Sequence, residues 1–468
     1  MRQAMAAAVA LALGSYQTWL LNNALFPVTS EVFPLAREFQ TAVGILVGLA
    51  VLLAGMRRPS LLRPRPMLVA SLVSLLVGTA LLLALPQSAV GVTAGLCLIA
   101  LGDASLYYLN GVTFALVGDA RSVSLSVACA VLAGDVAPLL LPTPGYRAAV
   151  LVDLAVIAAE FAILWRHASP TIRAASRGQG AEVLALSSPR SFLSLGHQVY
   201  VLMLIFSAAF GFALSLRIAQ NTPLSSYLQV AVMAGVVLWF ALSRGQRHHE
   251  DELFVLAALL VVAGFLLVPM DDASMPAAAN SLLYAGNSCF KILSWTALAA
   301  LCSRNMSGAL VVLACGATAS SAGTFVGADL GHLCNSLLVA WPNAAILVTG
   351  AAVLALFAYV LVGLRGFSFT DTIAGVEPAE PLPEPANDPA PSRDQLLEAA
   401  CDALSAERGL TEREREVLGM LARGHNGYHI RDELTLSYNT VKTHVKRVYR
   451  KLDVHSQQEL IDLVESRE

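Results

Sequence analysis

The first three quarters of the chain alternate long apolar stretches with short polar ones, whereas the last quarter consists of short amphipathic segments. A helix needs about 20 apolar residues to cross the roughly 30 Å of hydrocarbon, because its backbone must be hydrogen-bonded internally. About twelve such stretches occur, centred near residues 15, 47, 76, 105, 132, 156, 208, 232, 261, 290, 315 and 350. The pattern predicts an all-α fold: a polytopic body of about twelve transmembrane helices in two six-helix halves, plus a C-terminal four-helix domain.

The first apolar stretch, "MRQAMAAAVALALG", begins like a secretory signal peptide. Its apolar run continues to Phe26, which is too long for a cleaved segment, and no clear cleavage site follows. We interpret it as the first transmembrane helix.

Arginines are distributed unevenly between the predicted loops. Segments on one side of the membrane hold fourteen arginines, and those on the other side hold three, Arg37, Arg147 and Arg217. Because basic residues concentrate in cytoplasmic loops, the bias predicts an inner-membrane protein with both termini in the cytoplasm.

The same patterns predict the segment boundaries. The predicted segments are membrane half one at 1–165, a basic cytoplasmic loop at 166–197, membrane half two at 198–366, a flexible linker at 367–391, a lead-in helix at 392–405 and a terminal domain at 406–468.

The division into six and six spans resembles the major facilitator architecture, in which two six-helix halves flank a central cavity. The fourth span carries Tyr107-x-x-Asn110 and the tenth carries Tyr284-x-x-Asn287, at equivalent positions of the two halves. The loop "GMRRPSLLRPRP" after the second span keeps the arginines of the family's loop motif but lacks its acidic residue. This departure argues against transport.

Polar residues lie inside two of the spans. Lys291 is the first of only four lysines, and a charge at mid-bilayer is costly unless it faces a cavity or a partner. The tenth span places polar residues at helical spacing: Asn280, Tyr284, Asn287, Lys291 and Ser294. The fourth span carries a similar set, Asp103, Tyr107 and Asn110. By the resemblance, these two spans flank the cavity.

Two interpretations of Lys291 stay open. In the first, the two polar sets form a ligand pocket in which Lys291 meets an anionic group of a small-molecule effector. In the second, Lys291 pairs internally with Asp103, Asp135 or Glu160 and holds the halves together.

Composition supports this division of the chain. The sequence is 56% hydrophobic and 13% charged, whereas soluble domains are about a quarter charged. Residues 371–391 carry six prolines, five acidic residues and no basic one, which predicts a disordered spacer. The seven cysteines lie in no metal-binding or disulfide pattern, and we interpret most of them as buried apolar residues. No catalytic constellation, cofactor motif or metal site is predicted.

Helix caps punctuate the terminal domain. Thr411 with Glu414 and Ser456 with Glu459 form capping-box patterns, and Ser437 is placed to cap the helix between them. That helix contains "TVKTHVKRVYRK", with five basic residues and no acidic one. A helix and a turn precede it, as in helix-turn-helix readers of double-stranded DNA. Its apolar positions, expected in the core, are Val441, Val445, Val448 and Leu452.

The pattern "LTEREREVL…NTVKTHVKRVYRKL…HS…EL" resembles the LuxR/NarL-type DNA-binding domain over about 55 to 60 residues. The resemblance implies that Lys442 and Lys446 are the recognition-helix lysines that meet DNA. Asn439, Thr440 and Thr443 are placed for phosphate or base-edge contacts, Arg447 for either, and Arg450 and Lys451 for phosphates.

Three residues depart from the family pattern. "NGYHIR" replaces the usual "SNKEIA", so that Arg431 stands at a small packed alanine and Tyr428 at a polar contact position, and Gln457 stands where arginine is frequent. The last helix carries Leu460, Ile461, Leu463 and Val464, more apolar surface than a small domain needs, and we expect a dimer contact there.

The sequence therefore predicts a one-component transcription regulator, not an enzyme, whose membrane body senses a small molecule or the state of the membrane. Two alternatives stay open. The body could be a working transporter that carries a regulatory tail, or it could merely anchor the tail.

Overall fold

The structure is a computed structural model that describes residues 2–177, 197–220, 227–243, 249–270, 275–341, 344–376 and 393–466. Every regular element in these ranges is a helix. The chain divides into two compact units, Met1–Pro385 and Ala386–Glu468. The predicted all-α class, with a helical body and a separate terminal domain, is confirmed.

The first half of the body contains the helices before residue 178. Helix α1 continues through a π-helical turn, Leu21–Leu25, into α2. The helices are α1 (Arg2–Leu20), α2 (Phe26–Val32), α3 (Ala36–Arg57), α4 (Pro64–Ala84), α5 (Ala89–Ala115), α6 (Ala120–Leu140) and α7 (Tyr146–Arg177).

The second half begins at residue 197 and ends in a short helix after the last long one. Its helices are α8 (Gln198–Gln220), α9 (Tyr227–Leu242), α10 (His249–Leu267), α11 (Met275–Arg304), α12 (Ala309–Ala340), α13 (Ala344–Ala358) and α14 (Phe369–Gly375).

Each of the twelve predicted span centres lies within a helix. In the described parts of the chain, eight helical stretches are long and apolar enough to cross a membrane, and two shorter apolar helices, Tyr227–Leu242 and Ile346–Ala358, accompany them. Helix α10 begins with three acidic residues and α11 carries the predicted polar set, so these two are more polar. The body is that of a multi-pass membrane protein, and the count of twelve spans stays a prediction.

Glycines allow two helices of the second half to approach closely. Gly323, Gly327 and Gly331 lie four residues apart on α12 and face α8. A Cβ atom at Gly327 would overlap the carbonyl oxygen of Ala208, and one at Gly323 would overlap that of Leu204. Small residues at this spacing let helix backbones meet, which is a main source of attraction between helices in lipid.

Helix α7 does not end at the predicted boundary near residue 165. It continues to Arg177, so Arg166 and Arg173 lie in a helix rather than in a loop. Its last turns remain amphipathic, with Ala168, Ile172 and Ala175 buried. The rest of the predicted basic loop, 178–196, lies outside the described residues.

The start of the predicted linker is also helical. Hydrogen bonds within the segment and to the start of α10 fix α14. Ser368 caps α14 by accepting a hydrogen bond from the backbone N–H of Asp371. The Asp251 carboxylate, at the start of α10, accepts from the Ser368 hydroxyl and from the Phe369 backbone N–H, both at 2.8 Å. Helix α14, Phe369–Gly375, thus occupies the start of the predicted linker, and 377–391 lies outside the described residues.

The terminal unit contains five helices. They are α15 (Arg393–Arg408), α16 (Glu412–Ala422), α17 (Gly427–Glu433), α18 (Tyr438–Leu452) and α19 (Gln457–Glu465). Helix α15 is the predicted lead-in helix, and it ends three residues later than expected. Its Leu397, Cys401 and Leu404 are buried in the same core as Val417 and Leu418 of α16. The lead-in helix is therefore part of the terminal domain.

Packing of α15 changes the interpretation of α19. Leu460 and Val464 were predicted to be surplus apolar surface, but both are buried in the core to which α15 contributes. Ile461 and Leu463 are half-buried. The domain therefore uses part of the surface assigned to a dimer contact, and dimerisation stays a prediction.

Candidate functional sites: a nucleic-acid interface and a membrane cavity

The recognition helix α18 starts at the predicted cap. The Ser437 hydroxyl oxygen accepts a hydrogen bond from the Thr440 backbone N–H at 3.1 Å. The helix ends at Asp453, whose φ of 60° is left-handed. The capping box Thr411–Glu414 at the start of α16 is also present, and Gly424, with φ +82°, follows that helix. Capping satisfies the backbone donors that a helix start leaves free, so sequence alone located these boundaries.

Helix α18 has a buried apolar face and an exposed basic one. Val441, Val448 and Leu452 are buried, and Val445 packs partly against them. Positions spaced by three and four residues lie on one helix face. At that spacing the exposed residues are Asn439, Lys442, Thr443, Lys446, Arg447 and Arg450. The predicted DNA-contacting residues other than Thr440 and Lys451 thus share one exposed surface, which we call the basic face.

Thr440 is exposed, but its hydroxyl lies 2.7 Å from that of Ser437. Thr443 likewise donates to the backbone oxygen of Asn439 at 2.9 Å. The Thr443 hydroxyl is thus a committed donor with acceptor capacity left, whereas either hydroxyl of the Ser437–Thr440 pair could be the donor. Their predicted contacts with DNA remain open.

Lys451 does not share the free basic face. Its ammonium donates to the Glu414 carboxylate at 2.6 Å and to the Gly409 carbonyl at 2.8 Å. The hydrogen bond from Lys451 is the largest of the causes that lower the pKa of Glu414 to about 2. The side chain ties α18 to the start of α16, and its predicted contact with a phosphate stays a prediction.

Two departures from the family pattern form one exposed cluster. The ring of Tyr428 stacks on that of Tyr438, the first residue of α18, with centroids 4.6 Å apart. The Arg431 guanidinium lies 5.6 Å from the Tyr428 ring centroid, as in a cation–π contact. Tyr428 is 58% exposed. Sequence reasoning flagged Tyr428 and Arg431 but missed the stacking partner of Tyr428, because Tyr438 follows in another helix.

The third departure has a local explanation. The Gln457 side-chain amide donates to the backbone oxygens of Leu421 and His425, both at 3.0 Å. These carbonyls lie at and beyond the end of α16, where helix carbonyls lack partners within the helix. Gln457 therefore caps α16 from the start of α19.

The membrane body contains a cavity of about 530 Å³. Its lining residues come from α1, α3, α5 and α7 of the first half and from α8, α11 and α12 of the second. Ligand sites in proteins typically measure about 300–1,000 Å³. The cavity is therefore large enough for a small molecule and lies between residues of both halves.

Five of the seven residues predicted for the pocket line this cavity. They are Asp103, Tyr107, Asn110, Asn287 and Lys291. The other two are buried elsewhere on α11: Asn280 is 2% exposed, and Tyr284 packs edge-on against Phe210 with ring centroids 5.2 Å apart. The structure therefore places Asn280 and Tyr284 outside the cavity wall, and the ligand pocket stays a prediction.

Lys291 combines features of both open interpretations. Its ammonium lines the cavity and donates a hydrogen bond to the Ser15 hydroxyl at 3.2 Å. The carboxyl groups of Asp135 and Glu160 interact with its charge. An internal partner and a cavity position therefore coexist, and no binding role is settled by this geometry.

Several lining residues were not predicted. Glu160 was considered only as a partner for Lys291 and Ser294 only as a member of the polar set on α11, whereas Gln17 and Trp295 were not considered. Asp153 lies seven residues before Glu160 on α7, which places both acids on one helix face. The spacing of these two acids could have been recognised in the sequence. The close approach of α1 and α7 could not, because it depends on the fold.

The terminal unit matches a known family. Residues 408–464 match the family described as "GerE: Bacterial regulatory proteins, luxR family". The "HTH-type transcriptional regulator MalT" of Yersinia pestis (strain Pestoides F) is 40% identical over 52 residues, and that of Serratia proteamaculans (strain 568) is equally similar. The match covers 11% of this chain and 6% of each relative. The terminal unit is therefore a LuxR-type helix-turn-helix domain, and the likeness extends to no other part of those relatives.

The body resembles solved transporters in fold. The proton:xylose symporter XylE, of the major facilitator superfamily, aligns with a TM-score of 0.50 and 14% identity over 80% of this chain and 98% of XylE. The human organic anion transporter MFSD10 (TETRAN) aligns with a TM-score of 0.47 and 17% identity over 76% of this chain and 98% of that chain. The body thus has a major-facilitator-like fold joined to a DNA-binding domain of transcription regulators. Neither group is an enzyme family.

Proposed function

We propose that this protein is a one-component transcription regulator whose membrane body senses a small molecule and thereby controls DNA binding by its terminal domain. The basic face of α18 supports sequence-specific binding to double-stranded DNA in the manner of helix-turn-helix domains. The arginine bias supports a bacterial inner-membrane location with both termini in the cytoplasm, where DNA is accessible.

A shared aromatic residue carries the sensing part of the proposal. Phe290 immediately precedes Lys291 on α11 and lines the cavity. The same ring lies 6.3 Å, between centroids, from the ring of Phe369 in α14. Phe369 is 1% exposed and also packs against Phe254 of α10. One side chain therefore contacts both the cavity and the segment that leads towards the terminal domain.

Hydrogen bonds hold this segment at both of its ends. Asp251 accepts from the Ser368 hydroxyl and the Phe369 backbone, and Arg304, the last residue of α11, donates to the Val376 carbonyl. We call residues 368–376 the docked segment. A ligand that shifts α11 would change how firmly this segment is held and hence how far the following chain can reach. A ligand biases such an equilibrium only by binding its two states with different affinity.

The test of the coupling uses variants of the docked segment in the full-length protein. Phe369→Ala and Asp251→Asn should release the segment and make DNA occupancy independent of ligand, whereas the exposed Phe357→Ala of α13 should behave as wild type. Genome-wide occupancy and reporter output, measured across candidate ligands, are the readouts. Unchanged ligand responses in both variants would refute the coupling.

A working transporter with a regulatory tail is the second candidate, favoured by the cavity between the two halves and by the transporter-like fold. Accumulation of a candidate ligand in proteoliposomes, lost in Lys291→Ala, would support it. The third candidate, a passive anchor, predicts that an unrelated membrane anchor can replace residues 1–366 without changing ligand-dependent regulation. In the sensing proposal that replacement abolishes the response.

A second copy of the chain completes the proposal. The terminal domain from residue 406 onward carries eleven basic and eleven acidic residues, so a single copy lacks a general attraction to phosphates. Two domains on adjacent half-sites would add their contacts. Sedimentation of the protein on operator DNA would test the dimer.

A further inference from the structure

We infer that the cavity in the membrane body binds a small organic cation, a compound with a protonated amine attached to an apolar or aromatic portion. This inference rests on the proposed sensing function and names the chemical class of its ligand. It differs from the anionic ligand that Lys291 alone suggested.

Acidic groups outnumber basic ones in the cavity wall. Among the described residues that line the cavity, Asp103 of α5 and Glu160 of α7 carry carboxyl groups, and Lys291 of α11 carries the single ammonium. Asp153, 1% exposed, interacts electrostatically with both Asp103 and Glu160 from behind the wall. An anion entering this cavity would meet more repulsion than attraction.

The charge of Lys291 is already shared. Its ammonium donates to Ser15, and the two carboxyl groups that act on it are Glu160 and Asp135. Asp103 and Asp153 interact with each other and with Gln17, a neutral side chain. A buried carboxylate without a cationic partner takes up a proton instead, so a cation that enters this side of the cavity would meet carboxyl groups that can ionise to pair with it.

Two lining acceptors lack hydrogen-bond partners within the described residues. They are Oε1 of Glu160 and Oδ1 of Asn110. Both side chains are more than nine-tenths buried, at 5% and 6% exposure. Leaving a buried acceptor unsatisfied is costly, and an ammonium group brings three donors and no acceptor. The wall also holds one free donor, Nε2 of Gln17, so free acceptors outnumber free donors and match an amine better than a carboxylate.

Aromatic rings line the same cavity. Tyr107 and Trp295 pack with ring centroids 4.9 Å apart, and Phe210 and Phe290 add apolar surface. The faces of aromatic rings attract cations, most strongly when the site is shielded from water. The apolar portion of the ligand would contact these rings while its amine meets the carboxyl groups.

The test compares probes of similar shape and different charge on purified full-length protein in detergent. The probes are benzylammonium, benzyl alcohol and benzoate, together with the longer pair 4-phenylbutylammonium and 4-phenylbutyrate. Binding is followed by tryptophan fluorescence, since Trp295 lines the cavity, and by isothermal titration. We expect at least one ammonium probe to bind about tenfold or more tightly than its neutral or anionic counterpart, because an unpaired buried charge is costly.

Variants locate the site. Glu160→Gln and Asp103→Asn keep side-chain size and should each weaken ammonium binding by about tenfold, because one buried carboxylate is lost. Asn110→Ala provides an uncharged test of the second acceptor should either acid variant fail to fold, as judged by monodispersity. Glu31→Gln, an exposed acid on α2, is the matched control and should bind as wild type.

Other results would contradict either the ligand class or the sensing function. Tighter binding of benzoate or phenylbutyrate, lost in Lys291→Met, would establish an anion site and overturn the inference. Failure of both ammonium probes to bind, or equal binding of cations and neutral probes, would also overturn it. Ammonium binding that leaves DNA occupancy unchanged would instead keep the ligand class and refute the sensing function, so the two failures are distinguishable.

Discussion

The membrane body and the terminal unit are both built from helices, yet different forces hold their helices together. In the terminal unit, amphipathic helices bury one apolar face, and side-chain caps mark their ends. In the body, large apolar side chains such as Leu46, Leu76 and Leu354 are 60–71% exposed, as suits a surface in lipid. Lipid removes the hydrophobic drive between helices, so close backbone contact and polar groups specify their packing.

The largest expected effect lies in the body and tests this difference directly. Gly327→Leu would drive a side chain into the Ala208 carbonyl of α8 and should destabilise the body by at least about 3 kcal/mol. Gly235→Leu on α9 is the matched control, because nothing lies within 4 Å of its added Cβ atom. Monodisperse yield and thermal midpoint in detergent are the measurements. If both variants behaved alike, close approach of α8 and α12 would not be what stabilises the body.

The next largest effect concerns the basic face of the terminal unit. Replacing Lys442 and Lys446 together by alanine should weaken binding to operator DNA about 100-fold or more, because each contact to a base or phosphate contributes about 1–3 kcal/mol. The measurement is a titration of DNA at several salt concentrations, in which the salt dependence should also decrease.

Arg408→Ala is the control for a general loss of charge. Arg408 ends α15 and pairs with Glu407, outside the basic face. Its removal should change DNA affinity only slightly. Equal losses in the control and the double variant would mean that net charge, rather than the placement of α18, governs binding.

A smaller effect is expected at Gln457, whose side chain caps α16. Gln457→Ala removes both hydrogen bonds to the carbonyls of Leu421 and His425 and should destabilise the terminal unit by about 1–2 kcal/mol. Urea unfolding of residues 386–468, which have their own core, measures the change. Gln458→Ala, whose amide contacts only Asp462 within the described residues, should cost less.

These residues also show how far sequence reasoning reaches. Ser437, Thr411 and the buried Val441 and Val448 were predicted, because caps and helical periodicity are local properties of the chain. The partners of Lys451 and Gln457 were not, since Glu414 and Leu421 are more than thirty residues away along the chain.

The membrane body marks the same limit more sharply. Its polar set on α11 led to Asn287, Lys291 and Ser294, which line the cavity, but the set also held Asn280 and Tyr284, which do not. Within a spanning helix both lipid-facing and buried positions are apolar, so periodicity cannot say which polar side chains face a cavity. Docking of Phe369 on Phe290 was missed for a related reason, because proline-rich composition after residue 376 masked an ordered segment before it.

The smallest effect is the pH dependence of the Glu414–Lys451 ion pair. This pair joins α16 to α18, in addition to the cap at the start of α16. The Lys451 ammonium beside Glu414 lowers the pKa of that carboxyl from its ordinary 4.5 to about 2. A group with a lowered pKa in the folded state stabilises it above the unfolded pKa and loses that contribution as pH falls.

Replacing Glu414 by Gln, which can still cap α16, should therefore cost about 1 kcal/mol at neutral pH, and the difference from wild type should shrink as pH falls from about 4.5 towards 2. Urea unfolding of residues 386–468 between pH 7 and pH 3 provides the measurement, with Glu412→Gln, an exposed residue of the same helix turn, as control. A difference that persisted unchanged at low pH would mean that the side chain stabilises the domain through its cap and packing, and that the charge of Lys451 adds nothing.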